Sequence, residues 1–148
     1  MTISTAHTGR SYNPYKPYPI TRTKVDEFLV ALAESNPAYE GDEAVVPPTF
    51  AAVATFENWR QLIEDPELGL ALKRLIHAEQ TFEFVRPLRV GEVLEGWTTL
   101  DDIKIRGPLE YLFVRVEVRN SKGEFVGTSR STFIHNRAAA EAEEAAAS

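Results

Sequence analysis

Tyr111-Leu112-Phe113-Val114-Arg115-Val116-Glu117-Val118-Arg119 alternates without a break. In an extended chain Leu112, Val114, Val116 and Val118 share one face, while Tyr111, Phe113, Arg115, Glu117 and Arg119 share the other. This period of two marks a half-buried strand. Downstream, Asn120-Ser121-Lys122-Gly123 reads as a hairpin loop and Glu124 to Ile134 as the returning strand. Upstream, Gly107-Pro108 makes a turn, Val93 to Ile103 is a strand, Leu88 to Glu92 is a turn, and Thr81 to Arg86 alternates up to Pro87.

Before residue 65 the period is helical. Val25, Phe28, Leu29 and Leu32 recur at helix spacing. Thr23 is the expected cap, with Asp26 three residues on, and the helix is expected to end near Ser35 because Pro37 disfavours helical geometry at Asn36. Pro47-Pro48-Thr49 opens a second helix through Phe50, Ala51, Ala52, Val53, Ala54 and Phe56. Its small apolar residues suit close packing against a sheet, and Asp65-Pro66 ends it. Leu68 to Ile76 reads as apolar, either helix or irregular. Helices followed by a run of antiparallel strands predict an α+β domain, its helices against one sheet face. Met1 to Arg10 lacks periodicity and is expected to be a flexible arm. Residues 11–136 form the domain, opened by an extended Tyr/Pro-rich segment, and 137–148 read as an alanine/glutamate tail of frayed helix or disorder.

Composition removes several classes of function. A net charge of −6 gives no basic footprint for nucleic acid and no attraction to anionic lipid. There is no cysteine, hence no disulfide, thiolate nucleophile or Cys-containing zinc site. His7, His77 and His135 lie too far apart in sequence to suggest metal-ligand spacing, and no cofactor is expected. No apolar run approaches the roughly 18 residues that span a bilayer, and Met1 to Arg10 lacks a signal-peptide core. A cytoplasmic protein is expected.

Three stretches carry a family resemblance that covers roughly Tyr12 to His135. The first is Pro17-Tyr18-Pro19-Ile20-Thr21, leading into the helix that ends at Glu34-Ser35-Asn36-Pro37-Ala38-Tyr39. The second is Pro47-Pro48-Thr49-Phe50. The third is Ile76-His77-Ala78-Glu79-Gln80-Thr81-Phe82-Glu83-Phe84, followed by Arg86-Pro87-Leu88-Arg89-Val90-Gly91-Glu92. Together they resemble the MaoC-like (R)-hydratase family. The third is similar to the His-Gly-Glu-Gln…Arg-Pro-x-x-x-Gly-(Asp/Glu) pattern of its N-terminal-type, or FAS1-like, dehydratase domain, with Ala78 in place of the glycine. The resemblance implies a hot-dog fold, a curved antiparallel sheet around a central helix, that pairs with a second copy or a related subunit. It also implies a (3R)-hydroxyacyl-thioester dehydratase, or the reverse hydratase.

Working members of that family carry Asp-x-Asn-Pro-x-His, whereas here the acid position is Glu34 and the histidine position Tyr39. Removing water from a β-hydroxyacyl thioester needs a base for the α-proton, an acid for the hydroxyl and a donor for the thioester oxygen. Tyrosine, with a reference pKa of about 10, is a poor base, and the extra methylene of Glu34 displaces its carboxylate. In two-subunit members of the family, one chain supplies the Asp/His pair and the other supplies acyl-binding surface; this sequence resembles the second kind. An acyl-CoA or acyl-carrier-protein thioester is the implied ligand, and a dyad-bearing MaoC-like subunit the implied partner.

His77, Glu34 and Tyr39 are the candidate catalytic residues. On their own terms Glu34 and Tyr39 read as a helix-end carboxylate and a packed tyrosine, and His77 as a structural histidine at a strand entrance. Glu79 alternates with His77 and is expected on the same face, orienting the imidazole. Asn36, Pro48, Thr49, Phe50, Val53 and Arg86 complete the expected substrate-binding set. Asn36 would fix the loop, Thr49 would place an N–H at the thioester oxygen, Phe50, Val53 and Phe56 would line an acyl tunnel, and Arg86 with Arg89 would meet phosphate. Their simpler roles are a turn, a cap, core packing and solvated strand ends. A hot-dog thioesterase using Glu34, Glu57 or Asp42 to activate water, and a non-catalytic acyl-thioester binding protein, are the competing functions.

Overall fold

The computed structural model describes residues 3–138 together with 145 and 146. Most of the expected tail lies outside the described residues. Strands β1 (Ser11–Tyr12) and β2 (Tyr18–Pro19) precede helices α1 (Arg22–Leu32) and α2 (Ala51–Glu64), and then come β3 (Leu75–Phe84), β4 (Val93–Arg106), β5 (Leu109–Asn120) and β6 (Phe125–Asn136). All strand pairings are antiparallel, in the order β1-β4-β5-β6-β3, with β2 also on β4. The helices pack on one face of this sheet, so the architecture is the expected α+β arrangement with α2 at its centre.

The alternation in β5 does what its period predicts: Leu112, Val114, Val116 and Val118 are all buried. Ala51, Ala54, Thr55, Asn58, Trp59 and Leu62 form the buried stripe of α2, at the i, i+3, i+4, i+7 spacing of one helical face. Contact with β4 is so close that a Cβ at Gly96 would stand 2.4 Å from the Asn58 amide nitrogen. Glycine is therefore what lets α2 settle there. The helix stops where Asp65 becomes extended ahead of Pro66. Arg10 and the Tyr12 hydroxyl hold that carboxylate at 2.7 and 2.6 Å.

Several expectations are corrected. Helix α1 is capped by Thr21, whose hydroxyl accepts from Lys24 N–H, and not by Thr23. Its start is fixed earlier because Ile20 is buried and exchanges backbone hydrogen bonds with the 91–92 turn. It ends at Ala33, in the left-handed region at φ 53°, two residues before Ser35. The expected arm is packed from Ile3 onward: Ile3 is buried, Thr5–His7 form a 3-10 turn, and Gly9 N–H donates to Leu100 O. A single isoleucine in a polar stretch carries no period, so sequence cannot show that anchor. Strand β3 begins at Leu75, six residues before the expected start. Its first half contains a β-bulge between His77 and Glu79 that breaks the alternation.

His135 is buried beside the fully buried Glu110. Its Nδ1 lies 2.7 Å from the carboxylate, and Arg137 donates to the other oxygen from 2.7 Å. Glu110 and His135 are direct cross-strand partners. The Nε2 of His135 accepts from Ala71 N–H, tying the segment after α2 to the sheet.

Candidate functional site

Two cavities of about 470 and 490 Å³ open side by side along α2, and Phe56, Trp59 and His77 line both. They form one groove, each lobe mainly apolar with one basic and one acidic side chain. The first lobe is walled by Ile63, Leu72, Leu75 and Phe133 with Arg60 and Glu64, and the second by Tyr18, Ala52 and Val53 with Lys24 and Glu57. An apolar pocket with a few polar groups is the usual form of a small-molecule site.

His77 sits where the lobes meet. Its ring lies 5.0 Å from that of Trp59 and 4.9 Å from that of Phe133. The bulge re-aims this part of β3: His77 pairs with Phe133 and Glu79 with Thr132, leaving Ala78 as the extra residue. Ala78 has no positive φ, so it stands at the family's glycine position without backbone strain. The expected pairing of Glu79 with His77 is thereby corrected. Glu79 accepts from the Thr132 hydroxyl and lines a separate cavity with Asp101 and Arg130. Gln80 replaces it: the His77 Nε2 lies 3.1 Å from Gln80 Oε1. Gln80 is itself held by Ser129 and Ser131, at 2.8 and 2.7 Å.

The Asn36-Pro37 loop is committed to its own backbone. Glu34 Oε1 accepts from the N–H groups of Ser35 and Asn36, both at 2.9 Å, and Asn36 Oδ1 caps the Pro37–Tyr39 3-10 turn through Ala38 N–H. Arg22 donates to the carbonyl of Tyr39. Neither Glu34 nor Tyr39 lines the groove.

The other expected residues divide. Val53 and Phe56 line the groove, whereas Phe50 is buried in the core against the edges of Tyr18 and Phe28. Pro48 borders a smaller cavity with Arg86, and Thr49 is exposed and makes no side-chain cap. The Arg86 guanidinium is held by both carboxylate oxygens of Glu92, at 2.6 and 3.1 Å. This pairing keeps Arg86 even more firmly protonated than usual. Glu92 also accepts from Arg89 N–H, so the Arg-Pro-x-x-x-Gly-Glu motif closes its own turn around Gly91, at φ 90°.

Sequence reasoning missed Gln80, Phe133 and the siting of Trp59. Gln80 shares a face with His77 only because of the bulge, and Phe133 arrives through strand register. Trp59 was visible as part of the helix. It is only 6% exposed, and its indole N–H has no partner among the described residues. Among the described residues no cluster of His, Cys, Asp and Glu suited to a metal occurs, and no helix is long and apolar enough to cross a membrane.

Comparison with known proteins places this geometry. The profile of the FAS1-like, dehydratase domain region matches residues 6–129. A UPF0336 protein of Cutibacterium acnes is 36% identical over 137 residues, spanning 93% of this chain and 96% of that protein. Another, from Streptomyces coelicolor, is 38% identical over 151 residues, spanning 96% and 100%. Among solved structures, the fold is similar to a chain of the C-terminally truncated HadBC (3R-hydroxyacyl-ACP dehydratase) complex of Mycobacterium tuberculosis. The TM-score is 0.79 at 19% identity, over 89% of this chain and 99% of that one. It is also similar to a MaoC-like dehydratase, with TM-score 0.80 and 24% identity over 90% of this chain and 43% of that one. The ChsH1-ChsH2 complex of Mycobacterium tuberculosis shares the fold at TM-score 0.61 and 14% identity, over 90% of this chain and 86% of that one.

Proposed function

This chain belongs to the FAS1-like dehydratase domain family, and from that premise we propose that it is the acyl-binding subunit of a (3R)-hydroxyacyl-thioester dehydratase or hydratase. It acts in the cytoplasm with a partner subunit that supplies the Asp/His pair. The observation that carries this reading is the contrast between an intact groove and a disarmed loop. The groove offers apolar walls for an acyl tail, and a basic side chain in each lobe, Lys24 or Arg60, for the head of a CoA or carrier-protein thioester. Glu34 serves as a backbone cap, and the residue at the histidine position is Tyr39.

The sheet supports the partner. Among the described residues strand β3 pairs only with β6, so its other edge is open. Ile76, Leu72 and Phe56 are exposed, at 63, 62 and 53%. An open edge beside exposed apolar side chains suits strand addition from a second subunit. Both a homodimer and a heterodimer satisfy this geometry; the altered dyad favours the heterodimer for catalysis.

One observation favours a second reading. Glu57 lines the second lobe, and its Oε2 is buried without a hydrogen bond among the described residues, with Arg60 and Lys16 at 3.7 and 4.0 Å. A carboxylate so placed would suit water activation in a thioesterase. The test is loss of enoyl absorbance with crotonyl-CoA and a longer enoyl-CoA. The expected result is no turnover by the chain alone and turnover once a dyad-bearing MaoC-like subunit is added. Robust turnover by the chain alone overturns the subunit reading, and release of free CoA thiol favours the thioesterase.

A further inference from the structure

The amide of Gln80 has only one orientation that satisfies its neighbours. Its nitrogen donates to the backbone carbonyl of Thr81 at 3.3 Å, a group that can only accept, and to the Ser129 hydroxyl. The oxygen therefore faces Ser131, which donates at 2.7 Å, and His77 Nε2, which lies 3.1 Å away. An amide oxygen can only accept, so Nε2 of His77 carries the hydrogen. In the uncharged ring the lone pair is then left on Nδ1, which has no partner among the described residues. The ring itself is steadied between Trp59 and Phe133.

We infer that His77 reads the 3-hydroxyl of the bound acyl chain through Nδ1, with Gln80 as the positioning residue that sets its tautomer. This rests on the acyl-groove reading above and adds a residue that separates hydroxyacyl from saturated chains. Position selects the hydroxyl. His77 lines both lobes where they meet, so an acyl chain lying along the groove passes it. The donor that meets Nδ1 must therefore lie on the acyl chain. A saturated chain has no donor, and a 3-hydroxyacyl chain has one. No proton is transferred in this contact; it is a hydrogen bond from ligand O–H to imidazole nitrogen.

Calorimetric titration of the full chain with (3R)-3-hydroxydecanoyl-CoA and with decanoyl-CoA tests the inference. The hydroxylated ligand is expected to bind about five-fold more tightly, the worth of one neutral hydrogen bond. His77→Phe, which keeps an aromatic ring between Trp59 and Phe133, is expected to erase the difference, and Glu79→Gln, on the other face, to keep it. Equal binding of the two ligands by the unmodified chain, or a preference that survives in His77→Phe, overturns the inference and leaves the acyl-groove reading standing. Failure of the unmodified chain to bind either ligand overturns both. Long-range proton–nitrogen NMR of the imidazole needs no variant: hydrogen on Nε2 is expected, and hydrogen on Nδ1 overturns the inference.

Discussion

The two edges of the sheet are built on opposite plans. At one edge, β4 is covered by two strands of two residues each, β1 and β2, and the segment around them is pinned from Ile3 to Ile20. At the other, β3 runs for ten residues with no described strand beyond it, beside the groove and its exposed apolar rim. One side is closed by the chain itself; the other is unpaired among the described residues, where the proposed partner would add. The contrast assigns changes near β4 to folding and changes near β3 to binding and assembly.

The largest expected effect is on the closed side. Gly96→Val would drive a side chain into Asn58 and Val116, whose nearest atoms stand 2.4 and 2.7 Å from a Cβ there. A loss of about 3 kcal/mol in urea denaturation is expected; unchanged stability would break the contrast at its strongest point. Asp65→Asn comes next. Burial disfavours the Asp65 charge, but the Tyr12 hydroxyl, Glu67 N–H and Arg10 outweigh it and hold the carboxyl below its ordinary range. A depressed folded-state pKa stabilises at neutral pH and is lost as pH falls through that value. The variant is therefore expected to be less stable at pH 7, by about 1 kcal/mol for the bonds weakened. The gap should narrow in melts taken below about pH 4.

On the open side the signs change. Ile76→Lys is expected to leave stability within about 0.5 kcal/mol, as an exposed substitution does, while weakening assembly in sedimentation experiments with the dyad-bearing subunit. Strong destabilisation without any change in assembly would erase the distinction between the edges. The smallest effect belongs to the Asn36-Pro37 loop: under the proposed subunit reading, Tyr39→Phe is expected to leave turnover with a dyad-bearing partner unchanged. A large loss there would return the loop to the chemistry.

Legibility in the sequence divides along similar lines. Strand β5 reads correctly because Leu112 to Val118 obey a single period, and α2 stops where Asp65-Pro66 says it should. The family pattern singled out His77 as a candidate, and the fold sets it in the groove. The rest depended on relations that no local period carries. Ile3 is an isolated apolar residue whose burial is decided by β4. Glu110 looks like a charge at the margin of an apolar face until register sets it opposite His135 and brings in Arg137. Glu79 was expected beside His77 by simple parity, and one extra residue in β3 transferred that place to Gln80. Arg86 looked available for phosphate because its partner, Glu92, lies across a turn whose shape is not evident from spacing.

That extra residue at Ala78 also bears on how the open edge behaves in solution. A flat ten-residue edge with unpaired amides and carbonyls is a template on which misfolded or identical chains can stack. The bulge interrupts its hydrogen-bond rhythm after three residues, and Glu79 and Glu83 set negative charge along the remainder of the strand. Such an edge resists indiscriminate growth yet remains open to a strand shaped to match the irregularity. Deleting Ala78 would restore an even rhythm, and the protein would be expected to aggregate more readily during expression.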